Sequence, residues 1–495
     1  MENVEDADIV IVGAGPGGST LAALLAMQGH RVVVLEKETF PRHQIGESLL
    51  PSTVHGICRL TGVFAKLEEA GFTRKRGGTY RWGSSPDPWT FAFSISPNMA
   101  SSASYAYQVE RGKFDKILLD HARSLGADVR EGTAVTDVLR DDGRVRGVTY
   151  LAADGTAGQL RASFVVDASG HQSRIYKHVS SSRKYSEFFR NIALFGYFEG
   201  GRRLPSPNSG NILSAAFDDG WFWYIPLSER LTSVGAVVRQ ELAEKIQGDP
   251  ESAFRSLIDS CPMIKDYLQD ATRITTGDYG RLRTRKDYSY HNTQFWRPGM
   301  ALIGDAACFI DPVFSTGVHL ATYSALLAAR SINTVMAGMM DEQAAFQEFE
   351  RRYRREYSVF YEYLMCFYDM HVDKNSYFWS AKKITKSTSP ELEAFVDLVG
   401  GLSSGEAALA QAETLARRAK SRSEEYVRAV DELVADGEQS MLPLFESTLV
   451  SEANVEGAQI QSLALVGAGM GRELPLFDDG LIPSEDGMFW STPVQ

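Results

Sequence analysis

The first apolar block, residues 7–12 (Ala-Asp-Ile-Val-Ile-Val), is short and rich in β-branched residues, and predicts a buried strand. A Gly-rich turn follows. Residues 17–28 are rich in Ala and Leu and predict a helix, and residues 31–35 (Arg-Val-Val-Val-Leu) predict a second strand. Two strands joined through a helix must run parallel, because only a crossover connection returns the chain in the same direction. Residues 113–125 suit an amphipathic helix. Strand-like runs at 133–139 and 144–150 flank an Asp-Asp-Gly-Arg stretch that reads as a hairpin turn. Another buried strand, Phe164-Val165-Val166, ends at Asp167. From 185 to 238 aromatic and small residues alternate, which predicts a mainly antiparallel sheet. From 316 to about 436 the pattern is helical, and residues 343–370 fit one long helix. Beyond about 440 the chain is rich in Gly, Ser and acids without a strong period, and reads as extended or partly disordered.

These elements describe an α/β chain whose 495 residues exceed one simple core. The expected organisation is a discontinuous nucleotide-binding domain (1–180 and 275–335), a sheet domain for substrate (80–105 and 181–274), a helical region (336–440) and an extended tail (441–495). A formal net charge of −12 argues against nucleic acid as partner. The four cysteines lie far apart and form no Cys-x-x-Cys pair, so neither a metal site nor a disulfide framework is expected. The N-terminus lacks a basic, apolar leader, and no apolar run of about 18 residues is present to span a bilayer. With free thiols suited to a reducing compartment, the expectation is a cytoplasmic protein away from the membrane.

Gly13-Ala14-Gly15-Pro16-Gly17-Gly18 fits G-x-G-x-x-G directly after a strand. Gly13 permits the tight turn, Gly15 lets a pyrophosphate approach the backbone, and Gly18 lets the helix pack close to the strand. The helix N-terminus then offers free N–H groups to phosphates. Glu36 ends the next strand, 18 residues after Gly18, where a carboxylate can accept from ribose hydroxyls. Two further segments favour FAD over NAD. Gly304-Asp305-Ala306-Ala307, after the apolar run 301–303, resembles the second FAD fingerprint of flavoprotein hydroxylases and their relatives. Arg111, at a predicted helix start, resembles the arginine that meets FAD in the same superfamily. The Asp167-Ala168-Ser169-Gly170 turn resembles the one that closes their FAD domain. The implied fold is the FAD-binding, Rossmann-like arrangement of the p-hydroxybenzoate hydroxylase type.

Trp221-Phe222-Trp223-Tyr224-Ile225-Pro226 resembles the W-x-W-x-I-P signature of flavin-dependent halogenases. Alternation places Trp221, Trp223 and Ile225 on one face of a strand, where two indoles can wall the flavin off from the substrate. Lys75, a few residues before a Trp-Gly pair, aligns with the active-site lysine of that family. In its chemistry, reduced FAD and dioxygen oxidise chloride to hypochlorous acid. A lysine can hold that oxidant near the ring, by a hydrogen bond or as a chloramine, and burial lowers its pKa to that end. Ser315, Thr316 and Gly317 open a predicted helix, and their N–H groups make an anion nest. By resemblance they bind the halide, and Ser315 or Thr316 can also serve as an N-cap. In tryptophan halogenases an acidic residue precedes this run; here it is Phe314. A phenol activates its own ortho and para carbons, so the loss of the carboxylate favours a phenolic acceptor. Arg42, Glu47 and Ser48 complete the expected cofactor-binding set, the last two in a Gly-Glu-Ser stretch that resembles a halogenase motif near the flavin.

The stretches 44–51, 186–190 and 319–324 resemble the tyrosyl halogenases of glycopeptide-antibiotic biosynthesis. That resemblance implies chlorination of a tyrosine-type or hydroxyphenylglycine ring, ortho to the hydroxyl, on a peptidyl carrier protein of a nonribosomal peptide synthetase. It also implies a separate flavin reductase. Arg351, Arg352, Arg354 and Arg355, with Arg417, Arg418 and Lys420, are candidates for a carrier-docking face or a solvated helix face. The rival readings are an FAD-dependent aromatic hydroxylase, which shares the FAD motifs but not Lys75, Trp221 and Trp223, and a flavin-binding accessory protein for carrier domains.

Overall fold

The computed structural model describes residues 4–85, 87–99, 104–369, 374–406, 475–477 and 479–493. Two large sheets carry the chain. The first has a parallel core with the order Met300–Leu302, Ala157–Asp167, Val4–Val12, Val32–Leu35 and Asp128–Arg130. Ile9, Val10 and Ile11 on its central strand are fully buried, as expected of a parallel strand covered on both faces. Helix α1 (Pro16–Ala26) begins at Pro16, where a fixed φ suits the first helical turn. The hairpin Thr133–Asp141/Arg144–Ala152 leans on this sheet. Its turn residues Asp142 and Gly143 have φ of 48° and 80°, the positive values a two-residue hairpin loop requires.

The second sheet has nine strands and is mainly antiparallel, with Arg183–Glu199 and Leu231–Arg239 at its centre. One junction is parallel: Gly77–Arg81 lies beside Ile212–Phe217 and brings the segment after Lys75 into this sheet. The strand Gly220–Pro226 alternates as its sequence requires. Trp221, Trp223 and Ile225 face the main core, whereas Phe222 and Tyr224 face a smaller core under the helices Pro250–Asp259 and Pro262–Tyr267.

Behind both sheets stand α2 (Arg111–Ser124), α3 (Thr316–Met336), α4 (Glu342–Phe367), α5 (Lys374–Thr385) and α6 (Glu391–Val399). No helix among the described residues is long and apolar enough to cross a membrane. Four arginines of α4 differ from the expected docking face. Arg352 is buried against Glu348 and Glu406, Arg354 pairs with Glu350, Arg351 with Asp479, and Arg355 donates to the carbonyls of Ser403 and Ser404. Burial and internal partners leave this row little charge to offer a partner. Arg417, Arg418 and Lys420 lie outside the described residues.

The predicted extended tail lies partly outside them too, but residues 479–493 are packed, not loose. Trp490 is buried between the guanidinium groups of Arg330 and Arg352, at 5.1 and 5.0 Å. Its indole N–H donates to Ser331 (2.9 Å), while Arg330 holds Glu406 in a two-pronged ion pair and donates to the Gly487 carbonyl. The buried cations thus have both an aromatic face and carboxylates to replace water. Trp490→Ala is expected to lower stability by roughly 3–5 kcal/mol, as for other fully buried large side chains, read as a fall in the urea midpoint.

Candidate active site

The three glycines of the first turn each meet a different constraint. Gly13 has φ of 99°, and a Cβ there would lie 2.6 Å from the Ala168 carbonyl oxygen. A Cβ on Gly18 would lie 2.0 Å from the Gly13 carbonyl oxygen, so α1 can approach its strand only with glycine there. On Gly15 it would meet nothing nearer than Arg42 Nη2 at 3.6 Å, which leaves that backbone bare. All this opens on a cavity of about 380 Å³. Glu36 is buried at its end and accepts from the backbone N–H groups of Ala14 (2.8 Å) and Glu38 (2.9 Å), with lone pairs left on each oxygen. Asp167 is buried and accepts from the N–H of Ser169 and the hydroxyls of Ser169 and Ser173. Its desolvation pushes the carboxyl above its usual range, and those serines oppose the shift.

Arg42 and Arg111 reach the cavity from two elements and meet on one carboxylate that the sequence reading missed. Asp115, fully buried, accepts from Arg111 Nε (2.8 Å) and Nη2 (2.9 Å) and from Arg42 Nη1 (3.0 Å). The signal was available, since Arg111 and Asp115 are four apart on one helix. Arg111 Nη1 also donates to the carbonyls of Ile45 and Gly46, which fixes the loop over the cavity. Gly304 and Asp305 line the same space. Burial raises the Asp305 carboxyl, and the charges of Arg285, Arg111 and Arg183 draw it back.

Glu47 and Ser48 line the cavity together with Trp221, Trp223 and Ile225. Burial pushes the Glu47 carboxyl up to about 7, against hydrogen bonds from Ser233 and Tyr197. Tyr197 donates to it at 2.9 Å and lies 2.8 Å from His43 Nε2. Ser233 also accepts from the Trp223 indole N–H (3.2 Å). The Trp221 indole donates to Tyr368 (2.8 Å), whose hydroxyl donates to Asp311 (2.8 Å). Both indoles, 6.2 Å apart, are therefore pinned at their nitrogens. Pro226 is buried at the end of the strand, outside the cavity lining.

Lys75 is buried, though it does not line this cavity. Its Nζ donates to the Leu49 carbonyl (3.0 Å), one residue past Ser48, and sits 5.6 Å over the Phe93 ring. Desolvation lowers its pKa to about 7. Ser315 and Gly317 line the cavity, while Thr316 is buried behind them with its hydroxyl unpartnered. The capping role left open for Ser315 is not realised. It takes φ of 62° and its side chain makes no cap bond. A Cβ on Gly317 would meet nothing within 4 Å, so the start of α3 offers bare N–H groups to the cavity. One turn on, His319 bridges Ser52 (3.0 Å) and Glu356 (2.8 Å), all three fully buried. The order is that of a hydrolytic triad, but no substrate can reach a serine so enclosed, and the chain serves as a brace.

The tryptophan halogenase family model matches residues 8–102 and 94–424 of this sequence. The chain belongs to the tryptophan halogenase family. The tryptophan 2-halogenase of Chondromyces crocatus is 34% identical over 387 residues, 78% of this chain and 72% of that one. The solved myxobacterial chondrochloren halogenase CndH, an FAD-dependent halogenase, is 49% identical, with a TM-score of 0.75, over 98% of this chain and all of that one. The flavin-dependent brominase Bmp2 is 28% identical, with a TM-score of 0.71, over 86% and 100%. The protein is thus a flavin-dependent halogenase on an FAD-binding, Rossmann-like fold, using reduced FAD, dioxygen and chloride. The resemblance to glycopeptide tyrosyl halogenases resolves to this wider family. The cavity fits FAD: bare backbone at Gly15, a carboxylate with free lone pairs at Glu36, and the guanidinium groups of Arg42 and Arg111.

The buried amine of this halogenase gives a stability test. Its native pKa lies below the unfolded value of 10.5, so its contribution is favourable above 10.5 and is lost as pH falls towards 7. Lys75→Met should therefore stabilise the protein most at pH 6 and little at pH 10. Denaturant midpoints at the two pH values check the sign; an equal gain at both would place Lys75 in water.

Proposed function

We propose that the protein chlorinates an electron-rich phenol ring at a carbon ortho to its hydroxyl. The carrying observation is Phe314. It holds the position before Ser315-Thr316-Gly317, is buried, and packs against Phe367 (4.6 Å), Tyr363 (5.2 Å) and Tyr80 (6.4 Å). No carboxylate at that position takes the ring proton, so the acceptor must bring its own activation, which a phenol oxygen supplies.

The residues divide the work by place. The turn from Gly13 to Gly17, Glu36, Arg42, Glu47, Ser48, Arg111, Gly304 and Asp305 line the cavity and would hold FAD, while Asp167, outside the lining, braces the Ser169 turn behind it. Reduced FAD with dioxygen supplies the two-electron oxidising equivalent that turns chloride into hypochlorous acid. Ser315, Thr316 and Gly317 hold the chloride through backbone N–H groups. Trp221, Trp223 and Ile225 exclude the acceptor from the flavin, with Pro226 ending their strand outside the lining, and the two pinned indoles keep the wall closed. Lys75, with its amine titrating near neutrality, takes the oxidised chlorine by hydrogen bond or as a chloramine. The ring carbon then gains chlorine and loses its proton. Flavin-dependent halogenases draw reduced flavin from a separate reductase.

The finer reading places the ring on a tyrosine or hydroxyphenylglycine tethered to a peptidyl carrier. It is supported by the stretches 44–51, 186–190 and 319–324, and is separated from a free acceptor by presenting both forms. Halogenase relatives favour this chemistry over the oxygen-inserting hydroxylase. Protein supplied with a reductase, FAD, chloride and a phenol should yield a product heavier by one chlorine for hydrogen. Lys75→Ala should lose at least 100-fold in chlorination while binding FAD and reoxidising it at the normal rate. Normal chlorination by that variant would refute the Lys75 role.

A further inference from the structure

Gly235 stands in the middle of the strand Leu231–Arg239, where a glycine weakens pairing and gives neighbours nothing to pack on. Its backbone lies outside the left-handed region, so the conformation does not call for glycine. What excludes a side chain is the Trp223 indole. A Cβ on Gly235 would fall on Cζ2 and Cη2 of that ring, and 2.5 Å from its Cε2.

The register of the second sheet explains the overlap. One rung crosses four strands in the order Ser214, Trp223, Gly235, Phe195, with all four positions on one face. Trp223 thus has a small residue on either side, and its ring leans over Gly235 to meet Phe195 at 5.7 Å and 44°. Two residues back on the same face, Ser233 accepts the indole N–H at 3.2 Å and donates to Glu47. One edge of the indole therefore runs along the strand. Its nitrogen is fixed by Ser233, and its six-membered ring rests on the bare backbone of Gly235. Trp223 is 7% exposed, and its open side is the cavity that it lines. A methyl group at position 235 would lift the indole off the sheet in that direction, since Phe195 and Ser214 close the rung at both ends.

We propose that Gly235 is a positioning residue for the flavin: the space it leaves lets Trp223 lie flat on the sheet and so sets the depth of the cavity at the wall. The inference rests on the reading above that Trp221 and Trp223 stand against the flavin. The ring end of FAD would meet a raised indole, whereas the adenylate end, at Gly15 and Glu36, would not.

The test is equilibrium binding of oxidised FAD and of ADP to the full chain freed of flavin. Gly235→Ala is expected to raise the FAD Kd about tenfold and to leave the ADP Kd within twofold of wild type. In a Trp223→Phe background, which removes the long edge of the indole, the same substitution should change the FAD Kd less than twofold. An FAD Kd unmoved by Gly235→Ala, an equal loss on FAD and ADP, or a loss undiminished in the Trp223→Phe background overturns the assignment. Should Gly235→Ala alone fail to fold, recovery of folded, FAD-binding protein by adding Trp223→Phe supports the seat, and no recovery refutes it. Trp223→Ala separates the two levels. Chlorinated product per FAD oxidised that stays at the wild-type ratio in that variant removes the wall reading and the inference with it. A lowered ratio, together with an FAD Kd indifferent to Gly235→Ala, refutes the seat alone.

Discussion

Residues 42–52 run between the two sheets and are held largely by charges that cannot reach water. Asp115 gathers Arg42 and Arg111. Arg111 fixes the carbonyls of Ile45 and Gly46. Leu49 holds Lys75, and Ser52 meets His319 in the first turn of α3. One short stretch therefore sets the position of the flavin cavity, the buried amine and α3 relative to one another. Removing one partner of a buried pair leaves the other uncompensated, commonly at a cost of 3–5 kcal/mol. The loop thus has little freedom to drift, and the distances along the proposed route are fixed by the fold before any ligand arrives.

The same burial sets the chemistry. Glu47 and Lys75 are both moved towards 7, one upward and one downward, because desolvation disfavours whichever form is charged. Asp311 reaches about 6 for the same reason, even with Tyr368 and Asn191 bonded to it. Groups of this kind destabilise the native state, and the offset must come from elsewhere. Sources are visible in the fully buried parallel strand, the aromatic packing around Phe367, and the Trp490 clamp with its paired arginines. Rigidity at the back of the molecule supports reactivity at its centre.

What could be read from sequence was what short-range geometry dictates. The roles of Gly13, Gly15 and Gly18, the positive-φ turn at Asp142-Gly143, and the common face of Trp221, Trp223 and Ile225 all follow from local backbone rules. Relations between distant residues were invisible. Nothing near Arg351 announces Asp479, and nothing near Trp221 announces Tyr368 or Asp311. The cations of α4 looked like a surface because helix periodicity does not reveal what packs against the face. Ser315 looked like an N-cap because its residue type suits one. Asp311, which accepts from the Val313 N–H, turns the chain first and leaves Ser315 in the left-handed region. The composition of the tail suggested disorder, yet one Trp with two arginines waiting for it is enough to seat its end.

The placement of Lys75 outside the flavin cavity fits a division of labour between making an oxidant and using it. A cofactor that touched the acceptor directly could hand oxygen to the ring. Here the two pinned indoles and Ile225 stand on the cavity wall, and the amine lies past Ser48 and Leu49. Only something small passes such a wall. Hypochlorous acid is small enough, but it reacts with any exposed thiol or indole, so a productive path must be short and lead to a nucleophile. The depth at which Cys58, Cys261 and Cys308 are buried limits the competing thiol targets. For the role proposed for Lys75, an amine kept partly neutral by burial is the form that can act as a nucleophile, which is why its pKa matters more than its charge.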